Sequence, residues 1–196
     1  MNAESSSFQL DKEKLYNNIR ESTDITLMCG NTKFECHTVF LASRSPVFMA
    51  MFHSNMKETI TNEVQIDDIK PEVMAEMLLF IYAGKTSNGY MNVDMAKDLF
   101  IAADKYQIDP LKNCCENQLV RLLKTENYYS LLLLGDTYSS SLKKSVMRFV
   151  VQNKKRIELD ESLVENPSLM MELLNEFAND SGGYFDRNYY CGDEEY

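Results

Sequence analysis

A mixed α/β unit followed by an all-helical extension is the fold class that this 196-residue sequence predicts, and three observations predict it. Apolar and polar residues alternate on both sides of Gly30-Asn31, which marks a β-hairpin. A short alternating run at Val64 and Ile66 supplies a third strand, with helical periodicity before and after it. Beyond residue 124 the periodicity is helical only, as in packed helical hairpins.

Residues 1–7 are polar and are expected to be disordered. From Phe8 to Ile19 the apolar Phe8, Leu10, Leu15 and Ile19 are sparse, which predicts a weakly amphipathic helix with one sticky edge. Ile25, Leu27 and Cys29 then alternate along the first strand, and Phe34 and Cys36 along the second, Thr32 to Cys36. From His37 to Ala42 the residues are apolar without alternation. Ser45-Pro46 is an N-cap followed by proline at the first helical position, so a helix is expected from Pro46 to about Asn55, with Val47, Phe48, Met51 and Phe52 as its buried stripe. The third strand spans Glu63 to Asp67. Pro71 opens a helix that buries Val73, Met74, Met77, Leu78 and Ile81, and Gly84 stops it. A loop over 85–92 leads to a helix from Val93 to Tyr106, and Asp109-Pro110 starts another through about Leu123. Three helical stretches follow, Thr125 to Asp136, Ser141 to Asn153 and Ser168 to Phe177. The last sixteen residues, SGGYFDRNYYCGDEEY, hold no Leu, Ile, Val or Met from which to build a core, so 181–196 reads as a disordered acidic aromatic tail.

Twenty Lys and Arg against 30 Asp and Glu give a net charge of −10, which repels phosphate backbones and anionic lipid. Neither nucleic acid nor membrane is an expected partner. The longest apolar run, Met77 to Ala83, is far short of the ~20 residues that cross a bilayer, and the polar N-terminus lacks a secretory apolar core. The five cysteines are odd in number and never spaced C-x-x-C, so they read as thiols of a reducing compartment. These features point to an intracellular protein, nuclear or cytoplasmic. Lys154-Lys155-Arg156 reads as a solvated helix end, and the sequon Asn179-Asp180-Ser181 carries no weight without secretion.

Glycine-rich phosphate cradles are absent, and His37 and His53 stand in no nucleophile-elbow, metalloprotease or zinc frame. His37 beside Cys36 is the one tempting catalytic pair; its apolar flanks favour a hydrogen-bonded core histidine. Cys114-Cys115 on one helix predicts one buried and one half-buried thiol. No catalytic residue, metal ligand or cofactor is assigned. Met56 stands out because it places a large apolar side chain within the polar run His53-Ser54-Asn55-Met56-Lys57-Glu58.

The segment Asp24 to Glu58 resembles the front half of a BTB (POZ) domain: an Asp opening the first strand, a hairpin leading to Phe34-x-x-His37, and Leu41-Ala42-x-Arg44-Ser45-Pro46-Val47-Phe48. The second half also fits, through Val64-x-Ile66-x-Asp68, Phe80-Ile81-Tyr82-Ala83-Gly84 and Ala102-Ala103-Asp104-Lys105-Tyr106. The resemblance covers residues 8–123, and residues 124–180 resemble a short BACK-like helical extension. Within the superfamily the chain is most similar to the speckle-type POZ (MATH-BTB) family, whose members are dimeric substrate adaptors of cullin-3 ubiquitin ligases. That implies a Φ-x-E motif for the cullin-3 N-terminal domain, and Met56-Lys57-Glu58 matches it. Phe52, Ser54 and Asn55 would flank the anchor, with a far edge from Tyr106, Leu111 and Asn113. By the same resemblance a homodimer, or a pairing with another BTB protein, would use Leu10, Leu15, Ile19 and Phe40.

Two departures accompany it. Residues 1–23 leave no room for the MATH domain that binds substrate in that family, so the substrate protein is unknown. Glu35 stands where transcription-factor BTB domains carry a basic residue, which argues against a co-repressor role. The expected function is therefore a non-enzymatic adaptor or scaffold that recruits cullin-3 for ubiquitination and proteasomal degradation. Its alternative is a BTB oligomerisation module without ligase recruitment.

Overall fold

Alternation along β1 (Ile25–Cys29) buries Ile25, Leu27 and Cys29 on one face, and the Gly30-Asn31 turn returns the chain as β2 (Thr32–Cys36). Gly30 has φ +57, the left-handed conformation that a two-residue hairpin turn requires. The register pairs Cys29 with Thr32 and Ile25 with Cys36. β3 (Glu63–Ile66) lies parallel to β1 on its other side, Leu27 opposite Val64, so the sheet order is β2-β1-β3. β2, one of the two outer strands, exposes Lys33 and Glu35, charges that discourage further strand pairing. The computed structural model describes residues 23–53, 62–87, 91–157, 159 and 161–182.

Among the described residues of the first unit, which runs to residue 122, five helices accompany the sheet: α1 (Thr38–Arg44), α2 (Pro46–His53), α3 (Pro71–Ala83), α4 (Val93–Lys105) and α5 (Asp109–Arg121). α1 differs from the sequence reading, which found no period in that stretch. It forms because Asp24, fourteen residues upstream, accepts hydrogen bonds from the Thr38 backbone N–H (2.7 Å) and hydroxyl (2.5 Å), a cap supplied by a distant residue. α2 is described to His53, and the expected end of that helix at about Asn55 lies outside the described residues. α3 is stopped by Gly84 at φ +71, and Asn92 caps α4 by accepting from the Met95 N–H at 2.8 Å. The core of this unit gathers Leu27, Leu41, Phe48, Met74, Met77, Ile81, Leu99, Phe100 and Leu119, all nearly inaccessible.

The second unit, 123–196, contains α6 (Tyr128–Tyr138), α7 (Ser140–Gln152), a 3₁₀ turn (Glu161–Glu165) and α8 (Pro167–Gly182). The 3₁₀ turn is too short for a periodic signal and was not expected; it buries Leu163. α8 begins one residue earlier and ends five later than its apolar pattern suggests, because its last turns are exposed and polar. Ser139 alone separates α6 from α7: its N–H closes α6 on Gly135 O at 2.9 Å, and its hydroxyl accepts from the Leu142 N–H at 3.2 Å. So tight a reversal crowds the two helices at Gly135, where an added Cβ would lie 2.5 Å from Lys143 N and 2.8 Å from Lys143 Cα. Lys143 then joins Asp136 of α6 to Glu172 of α8 at 2.7 and 2.6 Å. Among the described residues no helix is long and apolar enough to cross a membrane.

Because the atoms facing Gly135 are backbone and cannot rotate away, Gly135→Ala should destabilise the α6–α7 hairpin by about 1–3 kcal/mol. Urea denaturation of the two proteins measures this, and equal midpoints would show that the hairpin can open at no cost.

Candidate protein-interaction site

The helix that leads into the Met56 segment is held at its root by one hydroxyl. Ser45 Oγ donates to the Tyr106 carbonyl at 2.6 Å and accepts from the Phe48 N–H at 3.1 Å, so it caps α2 and fastens it to the α4–α5 corner together. The corner itself is made by Gln107 at φ +53, with Ile108 N–H returning to Ala103 O at 2.8 Å. Rings strengthen the joint: Phe48 lies 4.6 Å from Tyr106 and stacks on Phe52 at 5.9 Å. The free end of α2 carries His53, whose Nδ1 lies 2.8 Å from Met49 O, and Met49 is 46% exposed.

Of the residues assigned to cullin binding, Phe52 is half-buried at the end of α2 and Asn113 is exposed on α5. Tyr106 and Leu111 are corrected: at 1% and 0% exposure their side chains support the joint from beneath and offer a partner no surface. An apolar face on a corner between two helices packs inward, and spacing alone does not show which way it turns. Ser54, Asn55, Met56 and Glu58 lie outside the described residues.

A second aromatic group surrounds Phe40, the described member of the expected dimer contact; Leu10, Leu15 and Ile19 lie outside the described residues. Phe40 sits 5.1 Å from Tyr82 and edge-on to His37 at 5.6 Å. Tyr82 accepts from the His37 backbone N–H at 2.9 Å, and its hydroxyl lies 3.0 Å from His37 Nδ1. Next to Phe40, Val39 is 67% exposed. Sequence reasoning quoted Tyr82 only within the Phe80–Gly84 motif and did not single out Val39; Tyr82 stands on the last turn of α3, on a helix that buries Val73, Met74, Met77, Leu78 and Ile81.

His37 and Cys36 do line a cleft of about 290 Å³, beside Glu35 and Tyr82. Burial is the main cause that pushes the Cys36 thiol up to about 12, against a smaller lowering by Tyr82, and His37 Nδ1 is engaged by Tyr82. Cys115 is likewise pushed up to about 12, first by burial, while Cys114 beside it is exposed. Among the described residues no group of three His, Cys, Asp or Glu is placed to hold a metal ion.

A model of the BTB/POZ domain matches residues 14–123. Among curated proteins the chain is similar to TD and POZ domain-containing protein 4 of Mus musculus, 37% identical over 162 residues that cover 80% of this chain and 44% of that protein. It is also similar to TD and POZ domain-containing protein 5 of Mus musculus, 40% identical over 129 residues, 65% of this chain and 38% of that protein. The chain thus spans less than half the length of these relatives. Among solved structures it resembles the BTB domain of zebrafish PATZ1 (22% identity, TM-score 0.47, 58% of this chain and 93% of that one). It also resembles the BTB domain of human Gigaxonin (23% identity, TM-score 0.48, 56% and 87%).

Burial first, and then Asp68, pushes the Tyr106 phenol from 10 up to about 12. A raised acid favours the fold while protonated, so its contribution is full below pH 10 and is lost as pH rises to about 12. Wild type should therefore lose about 2 kcal/mol more than Tyr106→Phe across that window. Urea midpoints measured from pH 9 to pH 12 test this, and parallel curves would remove the phenol from the account.

Proposed function

Because this chain belongs to the BTB/POZ domain family, a protein-interaction and oligomerisation module, we propose that it is a non-enzymatic dimeric adaptor that recruits cullin-3 to a ubiquitin ligase. The observation that carries the reading is the clamped helix α2: Ser45, Phe48 and Tyr106 hold it rigidly, and Met56-Lys57-Glu58 follows three residues after its end. A recognition motif next to a rigid helix suits binding, since less freedom is lost when the partner docks. Met56 would fill an apolar pocket of the cullin N-terminal domain, Glu58 would supply an oriented charge, and Phe52 and Asn113 would border the contact.

The likeness to speckle-type POZ adaptors belongs to this proposal, as does the division into a BTB domain at 8–123 and a BACK-like extension at 124–180. The mechanism is proximity. A substrate protein bound to the adaptor is raised in effective concentration near the charged ubiquitin carrier, and no bond is made or broken by this chain. Ubiquitination and proteasomal degradation of that substrate follow.

The alternative, a homo- or hetero-oligomerisation module without ligase recruitment, draws on exposed Val39 beside Phe40 and Tyr82, a surface suited to self-association and independent of Met56. Titration with the cullin-3 N-terminal domain separates the two. Met56→Asp should weaken binding by about 2 kcal/mol or more, roughly thirtyfold, with an unchanged melting temperature. A folded wild-type dimer that fails to bind would leave the oligomerisation module.

Charges in the N-terminal segment test the dimer. Leu15→Glu with Ile19→Glu should give a folded monomer by light scattering, and a persistent dimer would place the interface elsewhere.

A further inference from the structure

From Ser140 to Ile157 the chain carries Lys143, Lys144, Arg148, Lys154, Lys155 and Arg156 and no acidic residue, within a protein of net charge −10. Lys143 is paired with Asp136 and Glu172, and Lys154 with Asp180 at 2.8 Å. Lys144, Arg148, Lys155 and Arg156 are exposed and form no ion pair among the described residues. Lys144, Arg148 and Lys155 follow one another at helical spacing along one side of α7 and its end.

Two hollows flank the second half of α8 beside this ridge. One, of about 350 Å³, is lined by Val150, Ile157, Leu159 and Phe177 with Lys154 at its edge, and Leu159 is 40% exposed. The other, of about 360 Å³, is lined by the apolar Met147 and Val151, the basic Lys144 and Arg148, and the acidic Glu176 and Asp180 of α8. The Lys154–Asp180 pair stands between them and ties the last turns of α8 to the basic turn after α7.

The fourteen residues after α8, GYFDRNYYCGDEEY, are the chemical complement of that face. Asp186, Asp193, Glu194 and Glu195 against Arg187 give 1 − 4 = −3. Their only large apolar groups are rings, and with no aliphatic side chain they need an existing hollow to bury them. Gly182-Gly183 lets the chain reverse where α8 ends. Fourteen residues reach as far as ~46 Å, and a tether that short holds a ligand at roughly millimolar effective concentration, ahead of an untethered acidic partner.

We propose that residues 183–196 fold back on this face as an intramolecular ligand. Tyr184 and Phe185 occupy the hollow at Phe177 and Leu159, and Asp193-Glu194-Glu195 lie along Lys144, Arg148, Lys155 and Arg156.

Carbodiimide coupling of the full chain at low concentration, read by mass spectrometry on a mixture of ¹⁴N and ¹⁵N protein, tests the contact. The expected result is same-isotope links from residues 193–195 to Lys144, Lys154 or Lys155. These should fall about fivefold or more in high salt and in Arg148→Glu with Arg156→Glu, which keeps every lysine. Hydrogen exchange should show the tail amides slowed in wild type and faster in that variant. Links scattered over the exposed lysines, or tail amides exchanging at free-peptide rates in both proteins, would overturn the proposal and leave the face for an acidic partner. Mixed-isotope links would place the segment on a second copy and equally overturn docking within one chain.

Discussion

The hydroxyl of Ser45 is the constraint on which the interaction surface depends. It is buried, and it satisfies two backbone groups that would otherwise be orphaned, the Tyr106 carbonyl at a helix corner and the Phe48 N–H at a helix start. A buried unmade hydrogen bond costs about 1–3 kcal/mol, so α2 cannot lift from the α4–α5 corner without a penalty, and the Phe48–Tyr106 contact adds to it. The corner in turn relies on Gln107 holding a positive φ, a conformation uncommon outside glycine that the surrounding hydrogen bonds enforce. Three helices therefore meet at one point.

The described residues divide between buried supports and exposed neighbours. Tyr106, Leu111 and Phe48 are buried beneath the surface, while Met49 and Asn113 are exposed and Phe52 is half-buried beside them. The same division holds around Phe40, where Tyr82 and His37 lock the ring from one side and leave Val39 outside. In the second unit, Lys143 plays the locking part between Asp136 and Glu172, and the remaining cations of α7 are left for solvent or for a ligand. Long-range polar contacts place the elements, and the unpaired groups beside them are those available for recognition.

Much of the fold was legible because its signals are local. The hairpin followed from alternation around Gly30-Asn31, the third strand from Val64 and Ile66, and most helices from apolar spacing and their Pro and Gly punctuation. What failed to show were features set by distant partners. α1 has no period of its own and starts where Asp24 caps it, and Tyr106 and Leu111 turned inward because a corner folded around them. Ser45 could be read as a cap, but not as the tie to residue 106.

By itself, the sequence determined the strands, most of the helix content, the acid-rich balance and the family motifs, since each depends on residue type and near spacing. Only the tertiary structure decided which apolar residues face outward, which carbonyl meets Ser45, and how the cations of α7 divide between paired and exposed. Those outcomes depend on contacts between residues up to 61 positions apart. A hydrogen bond or a buried face at such separation exists only after the chain has closed on itself, and no local pattern encodes which partner it will find.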